Sequence, residues 1–291
     1  MINYSFIIPH HNSLELLKRC VKSIPQRDDI QIIIVDDNSD EQEKPAEEWA
    51  GVEVLYIDAQ QTKGAGHARN VGLSHAEGKW LLFADADDYY KQDFMNVLDQ
   101  YVDKNIDVLY FNFEHRDENL NKILTNLQFQ DDFENYDGSV YSKEKIKYHH
   151  NVPWTKMVRR DFIRKYNIMF EETINGNDIF FSMLVGFHVK TLLVEKKALY
   201  TYVRNVGSIT NGKKKTMSAQ ICKITHRFKQ NSLLVFLGHK EWCKPICPLI
   251  ISMLRESGLK FLFSLTRSII PVYLNRKQWI PFFLDYNEEN S

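Results

Sequence analysis

Long apolar runs are missing from this 291-residue chain: no stretch reaches about 18 uncharged apolar residues, so no transmembrane helix is expected. Charge of one sign is missing as well. With 37 Lys and Arg against 38 Asp and Glu, the net charge of −1 lacks the basic excess of a dedicated nucleic-acid binder, and no nucleic-acid partner is expected. Glycine (12) and proline (8) are too few for a collagenous or low-complexity chain. Cysteine is limited to Cys20, Cys222, Cys243 and Cys247. The last two are separated by three residues with no histidine cluster beside them, which excludes a usual zinc knuckle and fits a reducing compartment. Met1 to Phe6 runs straight into a strand pattern without a basic segment or cleavage site, so no signal peptide and a cytoplasmic location are expected.

What is present is core material and an uneven distribution of charge. The 18 Phe, 14 Tyr and 5 Trp exceed what disordered chains carry. Residues 1–212 hold 24 basic and 33 acidic side chains, a net −9, whereas residues 213–291 hold 13 and 5, a net +8. An acidic body with a basic tail predicts two surroundings.

Ser5 to Pro9 is a short apolar run stopped by proline, which predicts a buried parallel strand. Leu14, Leu17, Val21 and Ile24 fall at helical spacing behind Asn12 or Ser13 as N-cap, with Cys20 on the core face. Further strands are predicted at Gln31–Val35, Val52–Ile57, Lys79–Ala84 and Asp107–Phe113, and a helix at Gly66–His75. Strand and helix alternate, the pattern of a parallel sheet with helices on both faces. Beyond Phe113 a loop-rich stretch is expected to about Tyr148, then a helix over Trp154–Phe170 and an apolar helix over Ile179–Val189. Strands around Leu192–Val194 and Leu199–Arg204 close the body.

Two predicted strands end in acidic clusters, Asp36-Asp37 and Asp85-Ala86-Asp87-Asp88. Adjacent carboxylates at strand ends repel unless a cation or a donor-rich ligand neutralises them, and ligands of α/β sheets bind at such ends. Asp85 and Asp87, one residue apart in extended chain, suit a hard cation that shares its remaining positions with phosphate oxygens. Lys63-Gly64-Ala65-Gly66-His67-Ala68-Arg69 fails as a dinucleotide fingerprint, because its third glycine falls on Arg69. It reads instead as a turn into a helix, with Lys63 and Arg69 available to phosphate or base. Pro9-His10-His11-Asn12 points to backbone and Asn12 contacts with a nucleotide rather than to metal. His149-His150 reads as an exposed pair without a role. Asp178, after Asn175-Gly176-Asn177 and before an apolar helix, is an N-cap or a general base held beside an aromatic wall.

With these pieces in order, the chain resembles the family 2 glycosyltransferases over residue 4 to about residue 212. The resemblance rests on Pro9 to Asn12, Ile33 to Ser39, Gly64 with Ala68 to Leu73, and Trp80 to Asp88. It continues through Pro153-Trp154-Thr155-Lys156, Gly176-Asn177-Asp178, and Tyr202-Val203-Arg204 with Gly207-Ser208. It implies an α/β, Rossmann-like GT-A fold over 1–212, with a nucleotide-sugar half to about 112 and an acceptor half from about 113. A helical appendage over 213–291 follows. It also implies an inverting transfer from a nucleotide-diphosphate sugar, a UDP-sugar above all, with Mg²⁺ or Mn²⁺, in polysaccharide assembly on the cytoplasmic face. Asp37, with Asp36 beside it, would bind the base, and Asn12 and Arg69 would frame the nucleotide with Pro9, His10, Lys63 and Gly64. Asp85 would touch the ribose and join Asp87 at the metal, and Asp178 matches the catalytic base. Trp154, Lys156 and Asn177 would face a saccharide or lipid-linked saccharide acceptor. Asn177 stands where the family often has Glu, and His11 where an aromatic is common.

The basic tail leaves two readings open. Its stretches Ile250–Leu254 and Leu259–Ile270, broken by Pro271 and followed by Trp279, Phe282 and Phe283, fit the interface of an anionic membrane, which would place the protein peripherally at the inner plasma-membrane face. They fit equally helices packed on the catalytic body. Two other functions compete with transfer. A nucleotidyltransferase would want a Gly-rich basic loop after the first strand, and a nucleotide-sugar-binding scaffold would not need Asp85, Asp87 and Asp178 together.

Overall fold

Seven consecutive buried residues, Tyr4–His10, form β1 at the middle of the sheet. A strand covered on both faces has no polar side to offer, which is why its sequence does not alternate. The computed structural model describes residues 1–275 and Ile280, apart from 47–48, 50, 59, 122–129, 174–175, 205–215, 258 and the side chains of 256–260. Lys213–Lys215, Gly207-Ser208, Asn175, Trp279, Phe282 and Phe283 therefore lie outside the described residues. In chain order β1 is followed by α1 (Leu14–Lys22), β2 (Ile30–Asp36), β3 (Val52–Tyr56), α2 (Ala65–His75), β4 (Trp80–Phe83), β5 (Tyr89–Tyr90) and α3 (Phe94–Leu98). Then come β6 (Val108–Asp117), α4 (Asp131–Glu134), α5 (Val140–His149), β7 (Lys156–Arg159), α6 (Arg160–Lys165), α7 (Asn177–His188) and β8 (Leu192–Arg204). The tail supplies α8 (Met217–Phe236), α9 (Cys247–Ser257) and α10 (Leu259–Leu274).

The strands make one sheet in the order β3-β2-β1-β4-β7-β6-β8-β5. Its first four strands are parallel, with the order reversing between β1 and β4. That reversal is the topological switch at which α/β sheets bind ligands. The second half is mixed: β7 runs antiparallel to β4 and β6, β6 and β8 are parallel, and β5 is antiparallel to β8. This is a Rossmann-like GT-A arrangement with a helical C-terminal region, as the sequence led us to expect.

Several local expectations need correction. Proline does not stop β1, which runs on through Pro9 to His10. Ile7 accepts a hydrogen bond from Ala84 on the β4 side, and His10 accepts one from Asp37 on the β2 side. Residues of a parallel strand turn alternately to each neighbour, so Pro9 faces the side where β4 has already ended and its missing N–H costs no ladder bond. The helix expected over Trp154–Phe170 is instead a 3₁₀ turn at Pro153–Thr155, then β7, then the short α6. Pairing with β4 and β6 on both sides overrides local propensity there. The stretch expected to be loop-rich carries the end of β6, α4 and α5, the last capped by Ser139, whose hydroxyl accepts from the Ser142 amide. The two strands expected near residue 200 are one, β8, with irregular register opposite Asn112. Asn112 donates its side-chain amide to the Lys196 carbonyl at 3.2 Å and so satisfies the bulge. Pro271 does not break its helix either, since α10 continues to Leu274.

The histidine pair is not exposed. Asp132 of α4, itself buried, is held by His149 at 2.5 Å, His150 at 3.3 Å and Lys145 at 2.7 Å. Burial pushes the Asp132 carboxyl up, but these three partners outweigh it and hold it far below the carboxylate range. Fully buried His150 is pushed down to about 4.

Of the tail, α8 packs on the body: Leu233 and Leu234 join Phe180 and Met183 of α7, Tyr148 of α5, Trp242 and Ile280 in one buried cluster. A separate cluster of Ile224, Met253, Phe261 and Leu265 holds α8, α9 and α10 together. Ile251, Phe263, Ile270, Tyr273 and Leu274 remain exposed. No helix among the described residues is long and apolar enough to cross a membrane.

Candidate active site

The carboxyl ends of β1, β2 and β4 and the N-termini of α2 and α7 meet at one edge of the sheet. At the end of β2, Asp36 is buried, receives His10 Nδ1 at 2.8 Å and the Ser39 hydroxyl at 2.5 Å on one oxygen, and the Ser39 amide at 3.1 Å on the other. Burial raises its carboxyl, but the His10 and Ser39 bonds prevail and hold it below the usual range. His10 Nε2 accepts from the Ser13 amide at 3.2 Å, which fixes the tautomer with the proton on Nδ1. His10 and Asp36 are thus a latch inside the loop framework. Asn12, at φ 49°, is committed to the same framework: its side-chain oxygen accepts from the Asp40 amide at 2.7 Å and its own amide donates to Ser39.

Asp37 differs. One carboxylate oxygen accepts from the Gly64 amide at 3.0 Å, while Oδ1 is buried with no hydrogen-bond partner among the described residues. Burial pushes its carboxyl up. A buried acceptor left open at a strand end is a place for a ligand N–H. Gly64 adopts φ +84° to aim that amide, a conformation glycine takes at no steric cost.

Arg69, on α2 and almost fully buried, is the hub. Its Nη2 donates to Asp85 Oδ1 at 2.5 Å, its Nη1 donates to Asn177 Oδ1 at 2.8 Å, and the guanidinium lies 5.4 Å from the centre of the Phe170 ring. One cation therefore ties the β4 terminus to the start of α7. The first turn of α2 sits so close to that region that a Cβ on Gly66 would lie 2.1 Å from the Glu171 carbonyl oxygen and 2.8 Å from Asn177 Cβ.

Past β4, the Asp85 amide donates to the Tyr200 hydroxyl at 3.0 Å, and that hydroxyl donates to Asp88 at 2.9 Å. Asp88 is fully buried and also accepts from the Val203 amide at 2.7 Å. Burial first, and then the charges of Asp87 and Asp85, raise its carboxyl strongly. Arg19 of α1 donates to the Asp87 carbonyl. The turn is braced from both sides, and the Asp85 and Asp87 side chains stay half-buried at the cleft. Their donor set, two carboxylates one residue apart, suits Mg²⁺ or Mn²⁺ completed by phosphate oxygens and water. Among the described residues no group of three or more His, Cys, Asp or Glu side chains could hold an ion unaided.

Asp178 stands in the first turn of α7 and is half-buried. Burial raises its carboxyl, and the Arg69 charge opposes that. Gly176 at φ +72° begins the helix, and the side chain of Asn177 is spent on Arg69. The other sequence-derived residues are committed to partners within the fold. Lys63 is exposed and paired with Glu172 at 2.7 Å. Lys156 is fully buried, donating to the carbonyls of His150, at 2.8 Å, and Val152, and burial lowers it to about 7. Trp154 is buried in a stack with Tyr200 (5.0 Å) and Tyr202 (5.7 Å). A cavity of about 500 Å³ opens at the ends of β2 and β3, bounded in part by Asn38, Lys44, Tyr56 and Asp58. Tyr200, Arg19 and Ser39 support the site and escaped sequence reasoning, whereas Asp88 was read there only as a member of the acidic cluster. Only Ser39, next to the acidic pair, had a local signal.

A parallel β3-β2-β1-β4 half, a carboxylate pair after β4 and an arginine joining it to a second carboxylate-bearing helix define a GT-A transferase scaffold. Residues 5–166 match the sequence profile described as Glycosyl transferase family 2, and the chain belongs to that family. EpsH of Bacillus subtilis is 26% identical over 215 residues, covering 70% of this chain and 62% of that protein. The uncharacterized glycosyltransferase YibD of Escherichia coli is 27% identical over 219 residues, covering 71% and 62%. The chain thus spans about 62% of the length of these relatives. The crystal structure of Staphylococcus aureus TarS residues 1–349 in complex with UDP-GlcNAc superposes with a TM-score of 0.61 at 21% identity, over 78% of this chain and 67% of that one. That likeness is one of fold.

Proposed function

We propose that this protein is an inverting glycosyltransferase that moves a sugar from a UDP-linked donor to an acceptor hydroxyl in surface-polysaccharide assembly. The observation that carries it is the Arg69 bridge, which brings the Asp85/Asp87 carboxylates and the Asp178 helix to one cleft edge. The UDP-GlcNAc complex of the TarS fragment supports a uridine donor.

Asp37 Oδ1 would accept the base N–H, completing its bonding. Asp85 and Asp87 would hold Mg²⁺ or Mn²⁺, which when bound supplies positive charge for the departing diphosphate. Asp178 would take the proton of the acceptor hydroxyl as its oxygen bonds to the anomeric carbon and the carbon–phosphate oxygen bond breaks, the electron pair leaving with UDP. One displacement from the opposite face inverts that carbon. Arg69 keeps Asp85 aimed at the cleft and moderates the burial-raised carboxyl of Asp178. A lipid-linked acceptor would be met at the inner membrane face, with the exposed Phe263, Ile270, Tyr273 and Leu274 of a net-basic tail at the anionic surface.

The test is consumption of UDP-sugars by the full chain with Mg²⁺, with Mn²⁺ and with chelator. Metal-dependent release of UDP from one donor supports transfer. Binding without turnover across all donors and acceptors would favour the scaffold alternative.

A further inference from the structure

Helix α8 carries Cys222 and His226 one turn apart, on one face. Cys222 Sγ lies 3.6 Å from His226 Nδ1, and His226 Nε2 lies 3.1 Å from Glu171 Oε2. The other Glu171 oxygen takes Lys229 Nζ at 3.2 Å. Thiol, imidazole and carboxylate thus stand in line, each oriented by the next, the arrangement that activates a nucleophile. Burial lowers the His226 ring, but Cys222 and Glu171 outweigh it and raise it to about 9. An imidazolium persists at neutral pH, and a neighbouring cation is what stabilises a thiolate. Helix α8 holds no acidic residue, while Lys223, Arg227 and Lys229 lie within three positions of Cys222 or His226, and Lys229 reaches Glu171. The other thiols lack this setting: Cys20 is fully buried, Cys243 donates to the Asn231 carbonyl, and Cys247 is simply exposed.

We propose that Cys222, His226 and Glu171 form a reactive-thiol site that takes small anionic disulfides. The Cys222 thiolate attacks one sulfur of the disulfide; a new S–S bond forms as the old one breaks, and the second half leaves with the electron pair and takes a proton from water. Cys222 is oxidised to a mixed disulfide, half of the reagent is reduced to thiol, and His226 keeps its proton. Half-buried Cys222 is reachable for this exchange. The site also touches the turn that carries Asp178, since a Cβ on Gly176 would lie 2.9 Å from His226 Nδ1. It does not depend on the transferase function.

The test treats the full chain at pH 7 with glutathione disulfide, or in parallel with the cationic disulfide cystamine, and follows each cysteine peptide by mass spectrometry. Cys222 should form the glutathione adduct about tenfold faster than exposed Cys247, and faster than it forms the cystamine adduct. His226→Gln should remove that advantage while leaving Cys247 unchanged. A wild-type Cys222 no faster than Cys247 overturns the site outright, whatever the variant does. An undiminished rate in His226→Gln overturns the role of the imidazole, and a faster cystamine reaction overturns the preference for anions.

Discussion

The carboxyl edge of the parallel half and the C-terminal helices handle their side chains in opposite ways. At the sheet edge almost every polar group is answered from inside the fold, from the His10–Asp36–Ser39 latch to the Tyr200–Asp88 brace. Among the described residues Asp37 Oδ1 is left without a partner, and Asp85, held by Arg69, stands half-buried with Asp87 and Asp178 against that rigid background. On α9 and α10 apolar side chains are left outward, Phe263 at 63% and Leu274 at 69% exposed. A preorganised edge fits chemistry, which needs fixed distances. A loosely covered apolar face fits a fluid surface, which needs none.

The sharpest way to break this comparison is Asp178→Asn, which keeps the shape of the side chain and removes its charge. Transfer should fall by about 10²–10⁴-fold while UDP affinity in calorimetry stays near wild type. Loss of UDP affinity would move Asp178 into the nucleotide site. Asp87→Ala should cost about 10²–10³-fold in metal-dependent turnover with little change in melting temperature, because the turn is braced through backbone atoms. Retained turnover that still requires metal would remove Asp87 from the ion.

Two histidines sharpen the contrast through pH. His150 in the body, lowered to about 4 against about 6.5 unfolded, charges less readily when folded, so its contribution is intact above pH 6.5 and fades as pH falls toward 4. His226, raised to about 9, does the reverse: its stabilisation is full below pH 6.5 and is lost as pH rises through 9. Each limb should be worth roughly 3 kcal/mol. Because buried Lys156, lowered to about 7, opposes His226 above neutrality, each histidine is read as a difference: the melting-temperature gap between wild type and His226→Gln should shrink as pH rises from 6.5 to 9, that between wild type and His150→Gln should shrink as pH falls from 6.5 to 4, and swapped assignments would refute the account. The smallest effect is expected at the tail. Phe263→Ser with Tyr273→Ser should weaken co-sedimentation with anionic vesicles about tenfold without altering UDP-sugar turnover in solution. Equal sedimentation would leave α10 as packing only.

How much of this was legible in the sequence follows from where the stabilising partners come from. The strands β1, β2 and β4, and the acidic ends of β2 and β4, could be read because their patterns are local: apolar runs, then at two of them carboxylates. The start of α7 was legible for the same reason, in Gly176 and the apolar run after Asp178. Strand β7 was not, because its four residues are a strand only between β4 and β6. Lys156 was assigned to the acceptor through the Pro153-Trp154-Thr155-Lys156 resemblance, and its burial could not be read from that motif. The carbonyls that hold it, at His150 and Val152, belong to a turn with no distinguishing composition. His149 and His150 misled likewise, since their partner Asp132 lies on another helix.

Gly66 has a consequence for sequence drift. Its missing side chain is the space in which the Glu171 carbonyl and Asn177 sit, so even one added methyl must push backbone aside. A saturation library at position 66 should return glycine alone among active clones, whereas Gly138, with no described residue within 4 Å of its would-be Cβ, meets no such crowding. Neutral wandering of this chain is closed at that point: the lineage can rewrite the residues that Gly66 touches only by keeping an empty place for them.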